Sequence, residues 1–557
     1  MKKRLSTVLF PWLCVIAGIV VPLSILFYDG PERDECYQAL SVLNYTRSPL
    51  APLSFFNGYL WLRFFGETIL NLRILNLLCH MVSIALGCAV FFRITRDKLW
   101  TAIIFMTLSI ASQVWAMHIY NWDTGCYPFA MLCLLSTLAF WRKPSLKRLL
   151  TLAITASLFA LSRIPCIVCI PVLAVAVAIR LRGDMRHDLF YSAVFLFSAL
   201  FTGVGILLVI YGGYSGLVEA WNPDNVITGH GVTDVNRYIT RLKAITPRFM
   251  SESGLSVLCV FFAWIVSRLR KSRPVSYVCM VGVIGVMVVA LIYFLPVRTF
   301  FSAMFVPVCV LWLYPVCHRV AQEGRYGSPG YFLWITALFV LFPIIGSDGT
   351  IERFMLLPVF PLVASVYYDR LKSFVRNLTF FIFVAVCVMT CVKLAYYVAE
   401  GCHTVTDIAP RMGAIRVNGT TQRSIKEQIV VHNAFDGKIR YKVYGSDRYT
   451  WSYYHNVDMG KDLHMFHYID VDSDTNKLDT VIPELEAIVV FYPVYHTDIA
   501  DDSTVDQEGN DKLESFIYSR GFKKLDSDFI NFEVYMRDSI APEYERFFDS
   551  VVGKSEI

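Results

Sequence analysis

Two acidic residues stand side by side at Asp34-Glu35, within Asp29-Gly-Pro-Glu-Arg-Asp34-Glu35-Cys-Tyr. A positioned carboxylate can take the proton from an attacking hydroxyl as a general base. Two acids close together can also hold a divalent cation against a phosphate. An Asp-Glu pair in a loop is, however, ordinarily solvated surface, because charged side chains are mostly exposed. Further along stand Asp123, Arg163, Arg298 and the pair Glu352-Arg353. Arginine presents a planar fork that meets phosphate bidentately. Asp123 has a plainer alternative, capping the helix that starts near Thr124. Arg163 interrupts an apolar hairpin, where a charge is a functional candidate or else snorkels to the interface. The chemistry depends on whether these residues share one place.

The elements that must position them are apolar. Of 557 residues, 55% are hydrophobic and 17% charged, which is more apolar and less charged than soluble domains. A bilayer-crossing helix needs about 20 apolar residues, and such runs recur along the first 400 residues. About thirteen spans are expected, at 8–28, 73–92, 99–117, 125–141, 149–162, 164–180, 189–212, 253–267, 275–295, 300–317, 329–346, 354–368 and 377–398. The fifth and sixth, separated by Ser162-Arg163-Ile164-Pro165, form either a tight hairpin or one broken segment. The first span lacks a small-residue cleavage site before Asp29 and reads as an uncleaved helix.

Basic residues orient the chain. With Met1-Lys-Lys-Arg4 in the cytoplasm, the basic loops around Arg93, Arg142, Arg180, Arg268, Arg319 and Arg370 all fall on that side, as the positive-inside rule requires. The net charge of +6 therefore concerns membrane orientation, and nucleic acid is not an expected partner. The same orientation puts Asp34, Glu35, Asp123, Arg163, Arg298, Glu352 and Arg353 on the outer face. Acids and arginines meeting at a lipid–water boundary suit transfer of a sugar from a lipid phosphate. The arginines neutralise the leaving phosphate, and a carboxylate deprotonates the acceptor.

From about Glu400 the spans stop and polar residues become frequent. Residues 401–557 read as a soluble α+β domain on the outer face. Strands are expected over Glu486–Tyr492 and Asn531–Arg537, with a helix over Leu513–Arg520 ended by Gly521. Of the 15 cysteines, most lie in apolar runs and act as small hydrophobes. The Cys166/Cys169 CxxC has no histidine or second pair nearby, so metal or redox chemistry is not expected of it.

The sequence resembles the GT-C membrane glycosyltransferases, especially the branch of protein O-mannosyltransferases and lipid A aminoarabinose transferases. The resemblance spans the membrane part, residues 1–400. Its motifs are Asp34-Glu35, the proline stretch Ser48-Pro49-Leu50-Ala51-Pro52-Leu53, Phe65-Gly66-Glu67 with Leu72-Arg73-Ile74-Leu75, Asp123, Leu161-Ser162-Arg163, and Glu352-Arg353-Phe354 with Pro358 and Pro361. The proline stretch lacks the histidine common in O-mannosyltransferases, and Arg163 stands where lysine is frequent. The resemblance implies a GT-C-like polytopic helical fold with a small extramembrane domain. It implies Asp34 as catalytic base, Glu35 as its support, and Asp123 orienting the acceptor. Arg73, Arg163, Arg298, Glu352 and Arg353 are implied to bind the lipid phosphate or substrate. No cofactor is required; a divalent metal at Asp34 and Asp123 stays open. The implied partners are a polyprenyl-phosphate-linked sugar, membrane lipid, and a glycan, lipid or protein acceptor. Attack at the anomeric carbon implies inversion. The uncleaved start and the lack of a disulfide pattern fit a bacterial inner membrane, with a cytoplasmic amino terminus and a periplasmic carboxyl-terminal domain.

Two other functions are weighed against this. A polymerase or ligase of lipid-linked glycans would centre on a basic outer loop, and Arg237, Arg241, Lys243 and Arg248 supply one. A transporter would be expected to carry an internal repeat, and none is visible. No GxxxxGK[ST] loop or HExxH motif occurs.

Overall fold

The computed structural model describes residues 2–28, 33–47, 49–114, 120–181, 185–221, 356–368, 403–445, 448–456, 478–492, 507–527 and 529–552, with isolated positions at 335–342 and 395. The amino-terminal half is a set of packed helices. The long ones are α1 (Lys2–Ile25), α4 (Ile69–Thr95), α5 (Lys98–Val114), α6 (Trp122–Arg142), α7 (Leu146–Ser162), α8 (Cys169–Leu181) and α9 (Met185–Ile210). Each of the first seven expected spans overlaps one of them. Among the described residues, four stretches are long and apolar enough to cross a membrane: Ile69–Thr95, Trp122–Arg142, Ile164–Leu181 and Asp188–Ile210. The spans expected at 253–317 and 377–398 lie outside the described residues apart from position 395, so the number thirteen does too. A short helix, α10 (Tyr214–Ala220), follows α9, and the span at 354–368 coincides with α11 (Leu356–Tyr367).

Small residues let the helices approach. A side chain at Gly87 of α4 would stand 2.2 Å from the Pro358 carbonyl oxygen of α11, and one at Gly18 would stand 2.8 Å from Met106 Cα of α5. Close backbone approach of this kind is how helices associate where lipid supplies no hydrophobic drive. Residues 162–169 make a tight hairpin. Arg163 is extended (φ −158°, ψ 107°), and a short 3₁₀ helix, Ile164–Val168, starts the return. Cys169 then faces the Ala156 carbonyl of α7.

The loop after α1 is more ordered than its composition indicates. It holds α2 (Arg33–Leu43) and α3 (Pro52–Phe65). Pro52 opens α3 at a position that tolerates a missing N–H. Described residues 35–42 of α2 are all buried, although the helix mixes Glu, Gln and Ser with its apolar residues.

The carboxyl-terminal part opens with a short antiparallel pair, β1 (His403–Thr404) and β2 (Arg416–Val417), and is built on a mixed sheet of order β3-β4-β6-β5: β3 (Tyr441–Gly445), β4 (Ala487–Phe491), β5 (Phe522–Lys524) and β6 (Glu533–Arg537). Strand β3 pairs parallel to β4, and β4 pairs antiparallel to β6. Strand side chains alternate. Thus Ala487, Val489 and Phe491 pack with α12 (Gly419–Phe435), α13 (Arg448–His455) and α15 (Ala541–Val552). Ile488 and Val490 pack with α14 (Gln507–Ser519) on the other face. With both faces covered, β4 is buried along its whole length. Asn418 caps α12 by accepting from Thr421 N at 2.8 Å.

Two histidines are enclosed in this domain. The His432 and His455 rings stack 3.9 Å apart beside Trp451, and His432 Nδ1 lies 2.8 Å from the Tyr441 hydroxyl. Burial, reinforced by His432, pushes the His455 imidazole down to about 3. Burial also lowers His432. Below about pH 6.5, the unfolded chain takes up protons that the folded pair refuses. The contribution of His455 is therefore complete above that pH and is lost as pH falls towards about 3, by up to about 1.4 kcal/mol per pH unit for that proton. Thermal melting of the purified protein between pH 7 and pH 4 is expected to show this decline, and His455→Phe is expected to flatten it. An unchanged slope in that variant would assign the decline to other groups.

Candidate active site

The acidic pair begins α2. Asp34 lies in its first turn, where negative charge meets the positive end of the helix dipole; its side chain lies outside the described residues. Glu35 is clasped by Arg73, from the second turn of α4. Arg73 Nε donates to Glu35 Oε1 at 2.7 Å and Nη2 donates to Oε2 at 2.7 Å. The third nitrogen, Nη1, donates to the carbonyls of Leu26 (3.1 Å) and Tyr28 (2.9 Å), just past α1. The two side chains are 0% and 2% exposed. One guanidinium thus joins α1, α2 and α4. Arg73, expected to bind lipid phosphate or substrate, here spends all three guanidinium nitrogens inside the protein and holds Glu35.

Asp123 lies in the first turn of α6 and is not the cap. Asn121 caps this helix, accepting from Thr124 N at 2.8 Å in a reciprocal box with the Thr124 side chain. Asp123 Oδ1 instead meets Arg163 Nε at 2.8 Å, with both side chains 3% exposed. Arg163 is therefore no snorkelling residue. Its turn is fixed by the proline stretch. Ile164 N donates to Leu50 O at 2.9 Å, and Ser54 Oγ donates to Ser162 O at 2.7 Å. Tyr120 donates to Ser54 O at 2.6 Å. A Cβ on Gly125 would come within 2.6 Å of Ser54 Oγ, so only glycine lets α6 close on α3.

Aromatic rings connect the two ion pairs. Tyr37 of α2 packs edge-on against Trp122, which adjoins Asp123, with centroids 6.4 Å apart. Phe55 of α3 meets the same tryptophan at 6.3 Å. Tyr37 also meets Tyr449 of α13 at 5.1 Å. The carboxyl-terminal part thus covers α2, and further contacts tie it down. Arg416 N donates to Phe27 O at 2.7 Å. Tyr453 donates to Glu67 O at 3.3 Å, and Arg411 pairs with Glu67 at 3.5 Å. Burial pushes the Tyr453 phenol far above its ordinary range, so it stays protonated and donating.

The expected site therefore divides. Glu35 and Arg73 form one pair and Asp123 and Arg163 another. The two meet through Tyr37 and Trp122, at the end of the helices where α1 finishes and α4 begins. Arg298, Glu352, Arg353 and the basic residues Arg237, Arg241, Lys243 and Arg248 lie outside the described residues. Among the described residues, no three His, Cys, Asp or Glu groups converge to hold a metal. Of the two carboxylates left open for a metal, Asp123 gives one oxygen to Arg163, and the Asp34 side chain lies outside the described residues. Tyr37, Trp122, Tyr449 and Arg411 are parts that sequence reasoning missed. Trp122 adjoins a predicted acid, but nothing local links Tyr37 to a residue four hundred positions away.

No family model matches the chain, and no curated protein matches it. Among solved structures, the chain is similar to ArnT from Cupriavidus metallidurans in the apo state. That match has 15% identity and a TM-score of 0.40, and covers 94% of this chain and 97% of that one. It is also similar to the same protein bound to undecaprenyl phosphate, with 13% identity, a TM-score of 0.33, and coverage of 95% and 97%.

Removing one partner of a buried ion pair strands the other charge, at a cost of about 3–5 kcal/mol. Arg73→Ala is expected to destabilise the protein by about that amount. Replacing both partners, Glu35→Leu with Arg73→Met, is expected to recover much of the loss. Melting of the single and double variants in detergent checks both expectations.

Proposed function

We propose that the chain is a membrane glycosyltransferase of the GT-C kind, moving a sugar from a polyprenyl-phosphate donor to a hydroxyl acceptor. The observation that carries this reading is the meeting of two buried carboxylate–guanidinium pairs at one end of the helices, beside Asp34. The Arg73 clasp occupies both Glu35 oxygens, which leaves Asp34 as the carboxylate for base chemistry. In this reading the Asp34 carboxylate accepts the proton of the acceptor hydroxyl. The oxygen forms a bond to the anomeric carbon, and the carbon–oxygen bond to polyprenyl phosphate breaks. Attack opposite the leaving group inverts that carbon.

Glu35 and Arg73 position Asp34 by fixing the start of α2. Asp123 orients Arg163 towards the leaving phosphate, whose charge Arg163, Arg298 and Arg353 share. Residues 1–400 form the transfer unit, and residues 401–557 shape acceptor entry. The acceptor is a glycan, a lipid or a protein. The setting is a bacterial inner membrane, with the site and the carboxyl-terminal domain on the periplasmic side.

Purified protein incubated with a panel of polyprenyl-phosphate sugars and candidate acceptors is expected to release polyprenyl phosphate with one of them. Asp34→Asn is expected to slow that release by roughly 10²–10⁴-fold, the usual contribution of a positioned base, with melting unchanged. Arg163→Ala is expected to slow it by roughly 10²-fold through lost charge stabilisation. Near-normal transfer by Asp34→Asn would remove this reading.

A further inference from the structure

The Cys166-x-x-Cys169 motif does not close on itself. Cys169 points back along α7, with its sulfur 4.0 Å from the Ala156 carbonyl oxygen. Cys166 turns the other way and is hydrogen-bonded to the thiol of Cys126 on α6. The Cys166 sulfur also lies 3.8 Å from the Phe342 carbonyl oxygen, and the Arg163 guanidinium donates to it. Both thiols are free and buried. Buried cysteines are usually small hydrophobes with no partner of their kind. Here two come from different segments and share a hydrogen bond.

Their position follows from helix spacing. Cys126 lies three residues after Asp123 in α6, on the same helix face. Cys166 lies three residues after Arg163, on the return of the hairpin. The ion pair and the thiol pair are thus successive rungs between the same two segments. The ion pair holds those two segments together at Asp123 and Arg163, one helical turn from the thiols.

We propose that Cys126 and Cys166 are a redox modification site, a dithiol that oxidises to a disulfide joining α6 to the α7–α8 turn. The two thiols lose two protons and two electrons as the sulfur–sulfur bond forms. A lipid-soluble two-electron acceptor of the quinone or diazene class takes up both hydrogens. Oxidation converts the noncovalent rung beside Asp123–Arg163 into a covalent one. Any effect on transfer rests on the function proposed above; the crosslink itself does not.

The test reads mass rather than activity. Full-length protein in detergent is treated with the diazene diamide, unfolded, blocked with N-ethylmaleimide and digested for peptide mass mapping. The expected product is a peptide pair joining Cys126 to Cys166, two hydrogens lighter than its separate parts and absent after dithiothreitol. Cys169→Ser is expected to retain it; Cys126→Ser and Cys166→Ser are each expected to lose it. A Cys166–Cys169 link in place of it would overturn the assignment, as would recovery of both Cys126 and Cys166 as N-ethylmaleimide adducts from oxidised wild type. Both results come from wild-type protein, so a poorly folding variant does not obscure them.

Discussion

Glu35 and Arg73 meet where three chain segments must be brought together in a poorly hydrated place. A buried carboxylate alone, or a buried guanidinium alone, would face a desolvation penalty of several kcal/mol. Together they satisfy each other in two parallel bonds of 2.7 Å. The remaining arm of the fork takes up two carbonyls that follow α1, where the chain has run out of helical partners. The pair therefore fixes the end of the first helix, the start of α2 and the angle at which α4 leaves. Arg416 N hydrogen-bonds to Phe27 O in the same stretch, so even the docking of the carboxyl-terminal part depends on this junction.

The Asp123–Arg163 pair applies the same logic with different support. Its turn breaks the α-helical ladder, with Arg163 extended before a short 3₁₀ helix, and such backbone is tolerated at membrane depth only where it is buried in protein. The proline stretch supplies that protein. Leu50 O takes the Ile164 N–H, and Ser54 reaches the Ser162 carbonyl. Each charged pair is thus embedded in a frame of backbone hydrogen bonds, and each frame draws on the stretch between α1 and α4.

What the sequence made legible divides along physical lines. Apolar runs carry their own signal, because length and hydropathy decide whether a helix can cross lipid. The first seven expected spans accordingly fall on helices. Strand β4 was readable for a similar reason: a five-residue run of Ala, Ile, Val, Val and Phe is hydrophobic on both faces. Helices α2 and α3 were not, because α2 mixes Glu, Gln and Ser with its apolar residues and is made helical by what surrounds it. For the site, residue type pointed to Glu35, Asp123 and Arg163, but not to who holds whom. Arg73 entered through the family resemblance alone, as a ligand of the lipid phosphate or substrate. Only long-range packing reveals that its fork is already filled.

Helix α2 explains why the carboxyl-terminal part belongs to this site at all. Its composition suits an exposed amphipathic helix, yet its described residues 35–42 are buried on every side. The membrane helices cover one side. Val405, Met412, Tyr449 and Tyr453 help to cover another. Gln38 Oε1 and Ser41 Oγ go into this enclosure with no hydrogen-bond partner among the described residues, which carries an energetic cost. Packing alone would favour apolar residues there. What the arrangement secures is a fixed start to α2, with Glu35 neutralised from below and the helix held from above. The constraint acts on the position of the acidic pair, and it is met only when membrane helices and soluble part close on α2 together.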